Sequence, residues 1–186
     1  MNKLVGPEYT PEDLLRLSDG PRYELIDGHL VERHVGARAS RVGVRLASLL
    51  DAHAVAQKLG HVLGSECGYQ VFPNHPNRVR LPDVSFIARG RLPNEEVPEG
   101  HVRIPPDLVV EVVSPNDTAY EIEQRVEDFL QVGVPLAWVI YPNTECVAVF
   151  RADGSARRLR SGDELDGENV VPNFKCRVAD LFPPPV

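Results

Sequence analysis

"PPDLVVEVVSPNDTAYEIEQRVEDFLQVGVPLAWVIYP" runs from Pro105 to Pro142 and decides the fold class. Its first part, Leu108 to Val113, is a run of aliphatic strand formers interrupted only by Glu111. Thr118 and Glu121 then have capping-box spacing, so hydroxyl and carboxylate can satisfy the first helical amides reciprocally. Ile122, Val126, Phe129 and Leu130 recur at helical intervals as an apolar stripe, and Gly133 supplies a stop. "PLAWVIYP" (Pro135–Pro142) is a second apolar strand. Strand, helix and strand over roughly 35 residues form a βαβ unit, whose strands lie parallel. Both strands are apolar on both faces, as in the middle of a covered sheet.

Working outward, Glu145–Ala152 and Arg157–Arg160 read as a closing hairpin. Upstream, strands are expected at His61–Leu63, Tyr69–Phe72 and Arg80–Ile87, with a proline-rich loop leading to Leu108. Arg38 to Leu59 has helical spacing, with Val42, Leu46, Leu49, Leu50 and Val55 on its apolar side and Gly60 as its stop. "RYELIDGHLVER" (Arg22–Arg33) reads as a hairpin turning at Asp27-Gly28. A short N-terminal helix is expected over 10–19. Thr10 is its N-cap, Pro11 its first residue, Leu14, Leu15 and Leu17 its apolar side, and Gly20 its end. Pro183–Pro185 make a proline-rich tail, 183–186. The fold class is mixed α/β around one sheet, in a single domain of 186 residues.

The net charge of −7 disfavours a broad basic surface for nucleic acid. It leaves room for phosphate chemistry at a site where a metal supplies positive charge. Basic residues are skewed toward arginine, with Lys3, Lys58 and Lys175 the only lysines. Cys67, Cys146 and Cys176 are odd in number and far apart, which suggests neither a zinc site nor a disulfide framework. No signal peptide and no apolar run of about 18 residues is present, so a cytoplasmic setting without membrane contact is the expectation.

Glu111 is the chemical anomaly. An ionised carboxylate among valines loses hydration, which costs several kcal/mol unless a cation or donors compensate. A metal ion would do so, and so would an arginine at a strand end. Asp83, after Pro82 in "RVRLPDVSFIAR" (Arg78–Arg89), lies in another β-type run. Beside the Glu111 strand, the two acids would repel and raise each other's pKa unless a cation sits between them. Two acidic oxygen ligands with open positions suit Mg²⁺. The alternative for Asp83 is a turn or edge residue after proline.

With these residues in view, the chain resembles the PD-(D/E)XK nuclease superfamily, and within it the Uma2-like family. "RYELIDGHLVER", "LPDVSFIAR" (Leu81–Arg89), "PPDLVVEVVSPND" (Pro105–Asp117), "FLQVGVPLAWVIYP" (Phe129–Pro142) and "VVPNFKCRVADLF" (Val170–Phe182) carry the resemblance, in family order. It implies a restriction-endonuclease-like fold, a central mixed sheet flanked by helices. It implies Asp83 and Glu111 as catalytic metal ligands for Mg²⁺ or Mn²⁺, with the Val112 main-chain carbonyl completing the site. Glu24 matches a family acid that adds a ligand or orients one; its alternative is a hairpin-surface carboxylate.

The motif lysine would fall at Val113 and is absent. Relatives often carry a lysine on the following helix, four residues before an aromatic; here Arg125 holds that place, before Phe129. Arginine can hold a phosphate oxygen, but it does not act as a base. Its alternative role is an exposed pair with Glu121. Relatives also tend to have a histidine near position 39, where this chain has alanine. The leading expectation is a Mg²⁺-dependent endonuclease hydrolysing DNA phosphodiesters, with Asp83, Glu111 and Arg125 as its catalytic set. The second is a weakened or inactive nuclease-fold protein that binds or regulates, through homo-oligomerisation or a protein partner. A hydrolase of smaller phosphate esters is the third.

Overall fold

Residues 8–34 and 36–182 are described by a computed structural model; the proline-rich tail expected at 183–186 lies outside them. Helix α1 (Pro11–Arg16) opens on the expected cap. Thr10 Oγ1 accepts the Asp13 amide at 3.1 Å, and the Asp13 carboxylate accepts the Thr10 amide at 2.9 Å. The helix ends at Arg16, short of residue 19, because the chain turns at Leu17 and again through Gly20-Pro21-Arg22. A single turn and a half buries one narrow face, so Leu14 is buried while Leu15 is 51% exposed. Strands β1 (Tyr23–Ile26) and β2 (His29–Glu32) pair antiparallel around Asp27 and Gly28. Both turn residues have positive φ, 50° and 85°, which the primed hairpin turn requires.

Helix α2 (Ala37–Gln57) buries Val42, Leu46, Leu50 and Ala54 at steps of four. Val55 falls one position off that stripe and is 65% exposed, contrary to expectation. Its stop is Lys58 in the left-handed conformation, whose amide reaches back to the Ala54 and Val55 carbonyls. Gly60 instead opens β3 (Gly60–Gly64), where a Cβ would collide with the Ile87 carbonyl oxygen. Strand β4 is shorter than the expected Arg80–Ile87 run, covering Val84–Ala88. Tyr69–Phe72 is not a strand: Tyr69 makes only isolated bridges, to Arg80 and Val102. Pro73, Pro76 and Pro82 have no amide to donate, so no longer ladder can form there.

The βαβ unit is β5 (Leu108–Val112), α3 (Ala119–Gln131) and β6 (Leu136–Tyr141). Strands β5 and β6 are parallel, and Thr118 and Glu121 make the capping box. Strands β7 (Cys146–Arg151) and β8 (Ala156–Arg160) follow as the expected antiparallel hairpin. A small antiparallel pair, β9 (Glu164–Asp166) with β10 (Lys175–Arg177), follows, and a 3-10 turn over Val178–Leu181 comes after it. The main sheet has the order β3-β4-β5-β6-β7-β8, with β5–β6 its parallel pair.

Helices cover the two faces of this mixed sheet. On one, Val42, Leu46 and Leu50 pack with Leu108, Val110, Val112, Trp138 and Ile140. On the other, Ile122, Val126 and Phe129 pack with Val109, Ala137 and Val139. Strand alternation therefore puts Glu111, like Val109, on the α3 side. The three cysteines are free thiols. Among the described residues, no helix is long and apolar enough to cross a membrane.

Candidate metal centre

In the β4–β5 register Val84 faces Val110, so the next step outward brings Asp83 beside Glu111. Pro82 ends the ladder there, and the Asp83 side chain takes over: its Oδ2 accepts the Val112 amide at 2.7 Å. Alternate strand amides point to opposite neighbours; that of Val113 bonds Ile140 on β6, leaving that of Val112 for Asp83. Asp83 Oδ1 also lies 3.3 Å from Arg33 Nη2. Desolvation raises the Asp83 pKa, against the opposing pull of the Val112 amide, Arg33 and Arg125.

Glu111 is 3% exposed. Its Oε2 lies 3.4 Å from Arg125 Nη1, while its buried Oε1 has no hydrogen-bond partner among the described residues. Burial first, then the charge of Asp83, pushes its pKa up to about 8, with Arg125 opposing. Arg125 projects from α3 and is largely buried. Its Nη2 lies 3.1 Å from Asp117 Oδ1 and its Nε 3.8 Å from Glu24 Oε2. The exposed pair with Glu121 is not its role, since that carboxylate caps Thr118. Burial works against the guanidinium charge, but Glu111, Glu24 and Asp117 outweigh it and hold Arg125 more firmly protonated than usual.

Glu24 is not a surface carboxylate. It is buried on β1, with Oε1 accepting the Leu81 amide at 2.9 Å and Oε2 accepting from Arg80 Nη1 at 2.6 Å. Arg80 Nε and Nη2 both donate to Asp128 Oδ2, at 2.8 and 2.6 Å. Asp128 Oδ1 accepts from Arg78, which also donates to Asp27 at the hairpin turn.

Glu24, Arg33, His34, Asp83, Glu111, Val112, Asp117 and Arg125 therefore enclose one small cavity of about 10 Å³, room for one water or one small ion. His34 also approaches Asp117 and Glu121, their ligand atoms lying within 4.8 Å of one another. Sequence reasoning placed Asp83, Glu111, Val112, Glu24 and Arg125 together and missed Arg33, His34, Asp117 and the Arg78–Asp128–Arg80 cluster. Two signals were available: Arg78 and Arg80 alternate around Val79 on one extended face, and Asp128 lies three residues beyond Arg125 on one helix face.

A mixed sheet between two helices, with acids gathered where β4 and β5 meet, is the architecture of a restriction-endonuclease-like nuclease fold. The chain belongs to the Uma2 family, whose model, described as "Putative restriction endonuclease", matches residues 11–179. Its fold is similar to a solved structure from Anabaena variabilis ATCC 29413, titled as a "putative nuclease belonging to DUF820". The TM-score is 0.77 at 19% identity, over 94% of this chain and 97% of the other. No curated protein matches this chain.

Proposed function

We propose that the chain is a divalent-metal-dependent endonuclease that hydrolyses DNA phosphodiesters at the Asp83–Glu111 centre. The observation that carries this reading is Glu111 Oε1, a buried carboxyl oxygen with no hydrogen-bond partner among the described residues. A buried acceptor without a partner is costly, and a bound cation removes the cost. The charge around it agrees. With Glu24 already paired to Arg80, the carboxyl groups of Asp83, Glu111 and Asp117 face two guanidiniums, Arg33 and Arg125, across the cavity. A cation would offset the remaining negative charge once Glu111 gives up its proton. Asp83 and Glu111 offer hard oxygen donors, joined by the Val112 carbonyl, which fits Mg²⁺ or Mn²⁺.

Asp83 and Glu111 would hold such an ion at the sheet, and it would supply a lowered pKa of water and stabilisation of charge on a phosphoryl group. The chain's own residues do the rest. The Asp83–Val112 bond keeps both acids in one geometry. Arg125, a permanent cation, holds a phosphate oxygen as charge develops on it. It removes no proton from water, so Arg125 does not serve as the base.

A plasmid and single-stranded DNA cleavage assay in Mg²⁺ and Mn²⁺ tests the reading. Wild type should cut, and Glu111→Ala should abolish cutting with an unchanged circular-dichroism spectrum. Equal cleavage by the two proteins would remove the assignment. A second reading, a binding or regulatory protein on a nuclease fold, is favoured by the three carboxylates already paired with Arg125. Metal binding without any turnover would select it.

A further inference from the structure

We infer that Glu24 is a positioning residue rather than a metal ligand, held by Arg80 and Asp128 so that it retains the Arg125 guanidinium at the acidic centre. This rests on the nuclease reading above for its chemical purpose, though not for its geometry.

The two buried glutamates differ in what their oxygens already do. Glu111 has one oxygen without a hydrogen-bond partner among the described residues. Glu24 has both oxygens engaged, Oε1 by the Leu81 amide and Oε2 by Arg80 at 2.6 Å, a tighter hold than the 3.3 Å contact of Asp83 Oδ1 with Arg33. Drawing Glu24 onto a cation would break a charge-assisted bond to an arginine whose side chain is 5% exposed. Uncovering part of a buried ion pair is strongly unfavourable. Glu24 is therefore committed before any ion arrives.

Its remaining neighbour explains its place. Arg125 has three acidic partners, Glu111, Asp117 and Glu24, from three different segments. If Glu111 turns toward a cation, Arg125 loses its partner on β5. Glu24 and Asp117 then have to keep it in place. Glu24 can do so because it is anchored: Arg80 grips it, Asp128 grips Arg80 with two bonds, and Arg78 ties Asp128 to Asp27. Charges alternate along this chain from the hairpin turn to the cavity, so each inner member is flanked by opposite sign. Arg80 remains firmly cationic: burial acts against its charge, and Glu24 and Asp128 more than compensate.

The test uses the full chain and two readouts that do not depend on cleavage. The first is Mn²⁺ affinity by calorimetry for wild type, Glu24→Gln and Asp83→Asn. The second is hydrogen exchange of the Arg125 Nε–H by NMR on ¹⁵N-arginine-labelled protein. Glu24→Gln should bind Mn²⁺ within about twofold of wild type, while Asp83→Asn should lose about tenfold or more. In Glu24→Gln the Arg125 Nε–H should exchange about tenfold faster, and Arg80→Lys should produce the same acceleration with Glu24 intact. Where DNA is cleaved, Glu24→Gln should lower kcat with KM unchanged. Equal loss of Mn²⁺ affinity in Glu24→Gln and Asp83→Asn would make Glu24 a ligand and overturn the inference. Unchanged Arg125 exchange in a folded Glu24→Gln protein would overturn it as well. Absence of Mn²⁺ binding in wild type would instead defeat the nuclease reading, and the exchange measurement would still decide the role of Glu24.

Discussion

The Asp83 carboxylate accepts the Val112 amide at 2.7 Å, across the point where Pro82 ends the β4–β5 ladder. One side chain thus serves as a strand bond and as half of an acidic centre. Asp83→Ala should remove both. It leaves the Val112 amide unpaired, a destabilisation of about 1–3 kcal/mol, and should abolish Mg²⁺ binding. Urea denaturation and calorimetry on the same preparation measure the two effects.

The pH dependence of stability should carry the signature of Glu111. Its folded pKa of about 8 lies above its ordinary 4.5, so the fold holds this proton more tightly than the unfolded chain does. Its contribution is complete below about pH 4.5 and is lost as pH rises through about 8. Metal-free protein should lose stability across that window, and Glu111→Gln should flatten the slope. Mg²⁺ binding displaces the same proton, so affinity should rise with pH over the same interval. Calorimetry in two buffers of different ionisation enthalpy counts the protons released. A pH-independent affinity between pH 5 and 8 would contradict the assignment.

Arg125→Lys places an ionisable amine where the guanidinium stands. A positioned base is commonly worth about 10²–10⁴ in rate, so cleavage should rise by about tenfold or more, with a new ionisation in the pH–rate profile. Arg125→Ala should do the opposite to turnover while tightening Mg²⁺, because it removes a cation that competes for Glu111. Single-turnover kinetics with a short labelled duplex separate the two outcomes.

Asp128→Ala leaves Arg78 and Arg80 buried without their shared carboxylate. Breaking a buried ion pair on one side costs about 3–5 kcal/mol, so a large fall in the urea midpoint is expected. Asp128→Asn, which keeps the acceptor oxygen, should lose less. Equal stability of Asp128→Ala and wild type would mean that the network contributes nothing to the fold.

Much of this molecule was legible in its residues, and the reason differs from place to place. The parallel pair β5–β6 followed from two aliphatic runs joined by a capped helix, a local pattern with few alternatives. The turn at Asp27-Gly28 followed from residues that tolerate positive φ. Asp83 and Glu111 stood out because each is an acid in an apolar strand context. The Arg78–Asp128–Arg80 cluster did not stand out, since a charged residue is normally read as solvent-facing. Only the partner some 50 residues away makes burial tolerable, and that pairing is tertiary. Val55 was misplaced for a simpler reason: one residue along a helix is a rotation of about 100°, enough to leave the core.

Asp83 and Glu111 are mounted where β4 and β5 meet in the main sheet, and Arg125 is mounted on α3. That division makes the two halves separately tunable. A change in how α3 seats against β5 would shift the reach of the guanidinium and leave the spacing of the carboxylates intact. The acidic pair is thus a constant of this framework, and the helix-borne residue is its adjustable part. Arginine at position 125 is one setting of that part.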